Sequence, residues 1–423
     1  MILKDIRYLV TQNAQRQILE DIDLRITEDK IAAIGEELPV QDEKVINCSD
    51  KAVMPGLINA HTHVSMTLLR GISDDKKLQD WLEEDIFPAE EKIGEEEAYI
   101  GALLGCLEML KTGTTTFNDM YDNMEQVAEA VEQSGIRAVL SRGVLDIDGN
   151  GEKRMEEAVK LAEQYTDSEL IVPGFAPHAV HTADTDSLLQ LKEHAEEHEA
   201  VYHIHLAETR EEVENFAEEK GKTPLQHLDE LNLVDNNLIA AHGVWLIEEN
   251  REILEEKGGT IVHNPSANLK LGSGIADIPD LIQRNINVAL GTDGVASNNN
   301  LNLFEEAKTA GLLHKMQDPS KITAQDILDM ATINGAKALN LEDKIGSITV
   351  GKKADLITIN LNQPDMTPIH SHQSLISNLI YSHKGNIQDV ITNGQHTIKN
   401  RKHTKLDEQK IIQQAEKTAQ KIQ

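Results

Sequence analysis

Short apolar runs alternate with long charged segments through most of the chain, and this alternation limits the fold more than any other feature. Eight runs lie between residues 56 and 291, and polar or turn residues follow each of them. The runs are Gly56–Ala60, Thr114–Asn118, Arg137–Ser141, Ile171–Ala176, Val201–Leu206, Leu238–Ala241, Thr260–His263 and Asn287–Gly291. Strands that alternate with helices form parallel sheets, and eight such units predict an α/β fold with a closed (β/α)8 barrel of the TIM type. An open doubly wound sheet is the alternative, but no G-x-G-x-x-G phosphate loop follows the first run.

The two ends of the chain have a different pattern from the middle. Short strand-like segments and turns fill residues 1–55, and strand-like segments return after residue 345. The last segment, Leu406–Gln423, is predicted as a terminal helix. We therefore expect residues 56–344 to form the barrel. Residues 1–55 and 345–423 would then be the two parts of one small β-sandwich, with the terminal helix attached to the second part.

Length and charge narrow the class of protein. The 423 residues suit a barrel of about 250 residues with an accessory unit. Lys and Arg number 40 against 72 Asp and Glu, which gives a formal net charge of −32. Such a surface repels nucleic acid and anionic membranes, so neither is expected as a partner. The acidic excess fits either adaptation to salt or a highly soluble acidic enzyme.

Cysteine usage and the N-terminus indicate the compartment. Cys48 and Cys106 are the two cysteines of the sequence, too few for a disulfide framework and typical of a reducing cytoplasm. The first residues lack a basic segment followed by an apolar run, and no apolar stretch reaches membrane-spanning length. We expect a soluble cytoplasmic protein. The sequence leaves open whether it forms a homo-oligomer.

Metal-competent side chains follow several of the apolar runs. His61 and His63 come after the first run, and the side-chain period of two in a strand places both imidazoles on one face. His205 ends the fifth run, and Asp293 follows the eighth. Taken singly, each is as well explained as a hydrogen-bonded core histidine, or as a cap or turn aspartate. Together they lie at the carboxyl ends of the strands, where barrel active sites assemble. Three imidazoles and one carboxylate suit one divalent metal ion, zinc first and iron(II) as the alternative.

Two further polar side chains stand beside these predicted ligands. Glu208 lies three residues after His205 and could act as an acid–base group at the same rim. His242 follows the sixth run. His203, inside an apolar strand, is predicted as a hydrogen-bonded core residue.

These motifs carry a resemblance to a known family. The segment from Pro55 to His63, the H-x-A-E at 205–208, Ala241-His242-Gly243 and Gly291-Thr292-Asp293-Gly294 resemble the amidohydrolase superfamily. Within it they look most like the 5′-methylthioadenosine/S-adenosylhomocysteine deaminases. The resemblance covers nearly the whole chain. It implies metal-dependent hydrolytic deamination of the adenine ring of 5′-methylthioadenosine, S-adenosylhomocysteine and adenosine, with release of ammonia and an inosine analogue.

The same resemblance implies the substrate contacts. Leu68-Leu69-Arg70-Gly71 leads to Trp81, which would pack on the nucleoside, and to Glu90, which would bind the ribose hydroxyls. The further residues that would contact substrate or line its pocket are Arg142, Arg154, His178, Glu208, Asp293 and Ser297. A blander interpretation makes Trp81 a core anchor and Glu90 a helix-surface charge. The segment Pro177–His181 departs from the family, because Val-His stands where a Pro-Tyr-like pair is usual.

The resemblance also assigns catalytic roles. Asp293 would accept the proton of the attacking water, His242 would orient or polarise that water rather than bind the metal, and Glu208 would protonate a ring nitrogen. Run four ends in Pro177-His178 and offers no carboxylated lysine, so one metal ion is predicted. The alternatives are a deaminase of guanine, cytosine or a triazine-like ring, a cyclic-amide hydrolase and, more remotely, a non-catalytic metal-binding protein.

Overall fold

The computed structural model describes residues 1–316 and 318–422, and contains a parallel barrel and a second, mixed sheet. Residue 423, the last of the predicted terminal helix, lies outside the described residues. The strands are β1 (Ile2–Val10), β2 (Ile18–Thr27), β3 (Lys30–Gly35), β4 (Val45–Asn47), β5 (Lys51–Pro55), β6 (Leu57–Thr62), β7 (Thr114–Tyr121), β8 (Arg137–Val144), β9 (Ile171–Pro177), β10 (Val201–Leu206), β11 (Leu238–His242), β12 (Thr260–His263), β13 (Asn287–Leu290), β14 (Leu356–Asn360), β15 (Asp389–Thr392), β16 (Gln395–Lys399) and β17 (Lys402–His403).

Helices connect these strands and cover them. The helices are α1 (Leu78–Trp81), α2 (Phe87–Glu90), α3 (Glu95–Lys111), α4 (Met124–Ser134), α5 (Gly151–Tyr165), α6 (Thr185–Glu197), α7 (Arg210–Lys220), α8 (Pro224–Glu230), α9 (Glu248–Lys257), α10 (Pro265–Lys270), α11 (Ile278–Gln283), α12 (Val295–Asn298), α13 (Leu303–Leu313), α14 (Ala324–Met330), α15 (Ile333–Ala338), α16 (His372–Tyr381) and α17 (Glu408–Ile422). A 3-10 helix covers Val64–Leu69, and one π-helical turn covers Leu82–Ile86.

The predicted barrel is confirmed. Strands β6 to β13 pair in parallel, each with its neighbours in chain order, and each of the eight apolar runs overlaps one of them. The circle nearly closes where the backbone N–H groups of Thr292 and Asp293 donate to the carbonyl of His61, at 3.1 and 3.0 Å. Parallel strands covered on both faces are apolar almost throughout, and every residue of β6, β11 and β12 is buried. Apolar side chains of six strands form one internal cluster, closed at the amino end by α15.

The two chain ends form the second unit, as predicted from their strand-like patterns. Its nine strands make one mixed sheet in which β5, from the N-terminal part, pairs antiparallel with β14, from the C-terminal part. Gly56 joins β5 directly to the barrel strand β6, and a side chain there would meet Thr115, since a Cβ would lie 2.1 Å from its Oγ1. The two sheets are therefore built on one continuous piece of chain. The domain boundaries at residues 55 and 344 stay a prediction.

Local sequence signals explain where several helices begin. Thr209 caps α7 through its side chain and Glu212 returns the bond to the Thr209 backbone, a reciprocal capping box. Thr223 and Gln226 do the same for α8. Among the described residues, no helix is both long and apolar enough to cross a bilayer. Cys48 and Cys106 are both buried free thiols, and burial raises the pKa of each to about 12.

Candidate metal centre

Four of the predicted ligands converge at the carboxyl end of the barrel. The Nε2 atoms of His63 and His205 lie 3.3 Å apart. Asp293 Oδ1 is 3.3 Å from His63 Nε2 and 3.6 Å from His61 Nε2. His61 is completely buried, and Asp293 and His205 are mostly buried. The strand ends of β6 and β10 and the turn after β13 therefore bring these side chains together in two overlapping groups of possible metal ligands, His61 with His63 and His205, and His61 with His242 and Asp293.

Backbone carbonyls orient two of these rings. His63 Nδ1 donates to the carbonyl of Met120 at 2.6 Å, and His205 Nδ1 donates to that of His178 at 2.9 Å. A ring that donates from Nδ1 keeps the lone pair of Nε2 free, which is the usual arrangement behind a histidine ligand. His205 Nε2 faces His63 Nε2 at 3.3 Å, and His63 Nε2 lies 3.3 Å from Asp293 Oδ1. His61 is held from behind by His203, the predicted core histidine, with 3.0 Å between His61 Nδ1 and His203 Nε2.

The donor set fits a divalent cation. His61 Nε2 is buried and has no hydrogen-bond partner among the described atoms, and a buried polar nitrogen of this kind calls for one. Burial opposes a charge on His63, yet the Asp293 carboxylate outweighs burial and raises the His63 pKa to about 9. Burial likewise opposes ionisation of Asp293, but His61 and His63 hold its pKa well below the usual range. The centre thus stabilises positive charge between the rings and the carboxylate, and N/O ligands of this type suit zinc or iron(II).

The backbone is strained at three strand ends that carry these groups. Ala207, His242 and Asp293 adopt left-handed conformations, with φ of 50°, 75° and 60°. Residues other than glycine occupy this region at a cost of about 1–3 kcal/mol each and cluster at functional sites. At Asp293 the strain is offset by bonds to its carboxylate from Gly294 N at 2.6 Å and from Ser297 Oγ at 2.8 Å. Ser297, predicted in the substrate pocket, therefore also holds Asp293.

Glu208 and His242 lie together beside the predicted ligands. His242 Nε2 is 3.7 Å from Glu208 Oε2, and the His242 ring stacks on that of His205 with 5.6 Å between centroids. Burial raises the pKa of Glu208, although Ser273 Oγ donates to its Oε1 at 3.0 Å. A carboxyl group with a raised pKa keeps its proton closer to neutral pH and can act as a general acid. The other ring nitrogen of His242, Nδ1, lies 2.9 Å from Asn268 Nδ2.

Glu90 turns towards the metal centre rather than towards bulk solvent. Tyr121 donates from its hydroxyl group to Glu90 Oε1 at 2.5 Å, and the Tyr121 ring lies 5.8 Å from that of His63. Burial raises the pKa of Glu90 to about 7 despite that bond. The helix-surface interpretation of this residue does not describe the structure. Binding of ribose hydroxyls by Glu90 stays a prediction.

Trp81 is placed differently. Its side chain is 4% exposed, packs in an apolar cluster with Met66, Leu69 and Ile86, and its Nε1 donates to the carbonyl of Ser73 at 3.4 Å. In this position Trp81 anchors the segment that precedes Glu90, so its direct contact with a nucleoside remains a prediction.

Of the other three predicted substrate residues, Arg142 lies near the end of β8, His178 follows β9, and Arg154 lies in the first turn of α5. The His178 ring is 4.9 Å from that of His205, and its Nδ1 is 2.8 Å from Thr182 Oγ1. Burial lowers the pKa of His178 to about 3, so the ring is neutral. Arg142 and Arg154 are brought to the same rim, each already paired with acidic side chains.

Some side chains of the site were not identified from the sequence. Tyr121 ends β7 three residues beyond the predicted run, and Glu306 is completely buried where it accepts from Asn298 Nδ2 and from the Ser266 backbone, at 2.8 and 3.2 Å. Nothing in their local sequence marks these long-range contacts. Glu212, which accepts from the backbone N–H of Ala207 and Glu208 at 3.0 and 2.8 Å, could have been found from its capping-box spacing.

Comparison with known proteins agrees with this geometry. Residues 52–397 match the model of the amidohydrolase family. A 5′-deoxyadenosine deaminase of Methanobrevibacter smithii is 45% identical over 94% of this chain and 93% of its own length. A 5-methylthioadenosine/S-adenosylhomocysteine deaminase of Thermococcus sibiricus is 46% identical over 88% of each chain. The crystal structure of an adenosine deaminase from Xanthomonas campestris with bound zinc superimposes with a TM-score of 0.96 at 34% identity, covering 100% of this chain and 98% of the other.

Proposed function

The chain belongs to the amidohydrolase family, and on that premise we propose that it deaminates the adenine ring of 5′-substituted adenosines by hydrolysis. The class includes 5′-methylthioadenosine, S-adenosylhomocysteine, 5′-deoxyadenosine and adenosine. The observation that carries the proposal is Glu208, a buried carboxyl group with a raised pKa beside His242 and the convergent histidines. A non-catalytic metal site has no need of such a group.

We further propose that the centre holds one zinc ion, with His61, His63, His205 and Asp293 as its ligands. Zinc, when bound, lowers the pKa of a water molecule to about 7 and so makes hydroxide available near neutral pH. His242 lies with its Nε2 towards Glu208, on the side of the ligands. It is therefore assigned to orient the water.

The chain's own residues move the protons. Asp293 accepts one proton from the attacking water, while Glu208 donates its proton to a nitrogen of the adenine ring and makes the amino-bearing carbon electrophilic. The new C–O bond forms at that carbon. The C–N bond to the amino group then breaks, the proton held by Asp293 passes to the leaving nitrogen, and ammonia departs. The ring nitrogen keeps its proton in the inosine product, and the remaining proton on the added oxygen passes to Glu208, which restores the acid for the next turnover.

Substrate binding falls to the residues around this centre. Glu90, held by Tyr121, is proposed to accept hydrogen bonds from the ribose hydroxyl groups. His178 is neutral and can donate or accept at the base or sugar. Trp81 would pack on the nucleoside or anchor the segment that leads to Glu90, and Ser297 would line the pocket beside Asp293.

An ultraviolet assay with ammonia detection tests the proposal. The zinc-loaded protein is offered adenosine, 5′-deoxyadenosine, 5′-methylthioadenosine, S-adenosylhomocysteine, guanine and cytosine. We expect turnover of the adenosyl compounds with release of one ammonia per nucleoside. Turnover of guanine or cytosine without any adenosyl compound would show the substrate class to be wrong. Chelation is expected to abolish turnover, and added zinc is expected to restore it.

A further inference from the structure

One short piece of chain contacts both Glu208 and His242. Residues 264–274, here called the α10 segment, follow β12 and include the helix α10. Asn268, on the helix, places its Nδ2 at 2.9 Å from His242 Nδ1. Ser273, near the end of the segment, donates from its hydroxyl group to Glu208 Oε1 at 3.0 Å. The acid and the histidine of the proposed reaction are therefore both held by this segment.

The α10 segment is itself fixed by buried bonds. The Trp245 indole N–H donates to the carbonyl of Ser273 at 2.6 Å, and the backbone N–H of Ser273 donates to the carbonyl of Asn268 at 2.9 Å. At the start of the segment, the backbone N–H of Ser266 donates to the buried carboxyl group of Glu306 at 3.2 Å. Asn268 and Ser273 are 2% and 4% exposed. Their polar groups cannot turn to solvent, so they keep these partners.

The contacts of His242 determine which of its ring nitrogens carries the proton. A neutral imidazole donates from one nitrogen and accepts at the other. Amide donors face Nδ1, with Asn268 Nδ2 at 2.9 Å and Asn264 Nδ2 at 3.4 Å. A carboxyl group faces the other nitrogen, since Glu208 Oε2 lies 3.7 Å from Nε2. Donors on the Nδ1 side and an acidic group on the Nε2 side both favour the proton on Nε2.

The histidines predicted to bind the metal have the opposite arrangement. His63 and His205 each donate from Nδ1 to a backbone carbonyl, which leaves the lone pair of Nε2 free for a metal ion. His242 has an amide donor in the place of that carbonyl. It nevertheless lies close enough to His61 and Asp293 to form a ligand group with them. Position alone therefore does not exclude His242 as a ligand, whereas a proton on Nε2 does.

We infer that Asn268 is a positioning residue that keeps the proton of His242 on Nε2, so that the ring donates to the attacking water instead of binding the metal. The inference rests on the proposed deaminase function and deepens it. Asn268 acts through His242 and touches neither substrate nor metal. Its effect therefore falls on kcat rather than on KM or metal content.

Nitrogen-15 NMR of the zinc-loaded protein with labelled histidine detects the proton directly, because a protonated ring nitrogen and one with a free lone pair resonate far apart. The His242→Gln protein assigns the signals of His242 by their absence. In the parent we expect Nε2 with a proton and Nδ1 without one. A protonated Nδ1, or an Nε2 bound to zinc, overturns the inference. This measurement needs no Asn268 variant and no substrate.

Asn268→Asp keeps the shape of the side chain but presents acceptor atoms to Nδ1 in place of the N–H donor. We expect Nδ1 to gain a proton and kcat to fall roughly tenfold or more, with KM and zinc content within a factor of about two of the parent. Asn250→Asp is the matched control. Asn250 is 1% exposed and donates from Nδ2 to Thr223 Oγ1 at 2.8 Å, between α9 and the cap of α8. This control should keep the parent kcat and the parent signals of His242.

The outcomes separate the inference from the function on which it rests. If Asn268→Asp has the parent kcat, or leaves the signals of His242 unchanged, the positioning role is wrong and the deaminase proposal stands. If the parent has the expected His242 signals but turns over no adenosyl compound, the deaminase proposal is wrong and the position of the proton stands.

Discussion

At the scale of single residues, the proposed chemistry depends most on Glu208. Glu208 is the predicted acid, and it is not one of the four predicted ligands; Ser273 and His242 are its partners. Its role and that of a ligand can therefore be separated by substitution. A side chain that only transfers protons is expected to affect turnover without affecting metal content, since none of the interactions that hold the metal is removed.

Glu208→Gln is expected to keep the metal content of the parent and to lower kcat by at least about 100-fold, the usual contribution of general acid–base catalysis. The measurements are metal analysis of the dialysed protein and the ultraviolet assay. Glu211→Gln, an exposed change three residues along, is the control and should match the parent in both. Loss of metal in the Glu208 variant would mean that Glu208 is a ligand.

Tyr121→Phe tests whether Glu90 binds substrate. The variant removes the hydroxyl group that donates to Glu90 and leaves the ring beside His63. With its orientation no longer held, Glu90 should bind the ribose less well. We expect KM for adenosyl nucleosides to rise roughly fivefold, about 1 kcal/mol, with kcat within a factor of about two. Tyr99→Phe is the control, because the Tyr99 hydroxyl group donates to Gln133 at an exposed position. A fall in kcat at constant KM would contradict the binding role.

At the scale of elements, one buried ion pair joins the barrel to the sheet formed by the chain ends. Arg137, the first residue of β8, donates to the carboxylate of Asp355 just before β14, with Nε 2.9 Å from Oδ2. The two side chains are 5% and 2% exposed. Asp355 also accepts from the backbone N–H of Asn393 at 2.6 Å. A single buried carboxylate thus links three segments that are far apart in the sequence.

Arg137→Met is expected to lower the free energy of unfolding by about 3–5 kcal/mol, because it leaves the Asp355 carboxylate buried without its counter-charge. The double variant Arg137→Met/Asp355→Asn should recover part of the loss, since the remaining amide is neutral and still accepts from Asn393. Urea unfolding measures both. Asp21→Asn, which breaks the exposed pair with Arg7, should change stability by no more than about 1 kcal/mol. If the double variant is as unstable as the single one, the lost unfolding free energy comes from lost packing of the Arg137 side chain rather than from the unpaired carboxylate.

At the scale of the whole molecule, the fold was largely predictable because the barrel repeats one pattern eight times. Strand periodicity also predicted that His61 and His63 share a face, and the rim of a parallel barrel explains their meeting with His205 and Asp293. Contacts between distant segments were not predictable. The bond from Tyr121 to Glu90 and the pairing of Arg154 with Asp148 depend on how loops pack, and neither leaves a periodic trace in the sequence. The convergence of these side chains thus follows from the sequence, whereas the hydrogen-bond partners that hold them require the structure.

Buried neutral histidines make the stability of the whole fold depend on pH. His383 is 4% exposed, its ring meets that of Phe304 edge-on at 4.6 Å, and its Nε2 has no partner among the described atoms. Burial lowers its pKa to about 4 in the folded protein, against about 6.5 when the chain is unfolded. The unfolded chain therefore binds a proton first as the pH falls. The stability contributed by the neutral ring is complete above pH 6.5 and is lost as the pH falls towards 4.

This difference in pKa predicts a measurable slope. Between pH 7.5 and 5 the His383 ring alone should cost the parent about 2 kcal/mol of unfolding free energy. His383→Gln has no proton to take up, so its stability should fall by that much less over the same range, even if it is less stable at pH 7.5. His370→Gln, at an exposed position, should keep the parent slope. Urea unfolding at the two pH values measures all three proteins.

Equal slopes in the parent and the His383 variant would mean that the ring is already protonated, or well solvated, in the native fold. Burial would then not be what holds this histidine neutral.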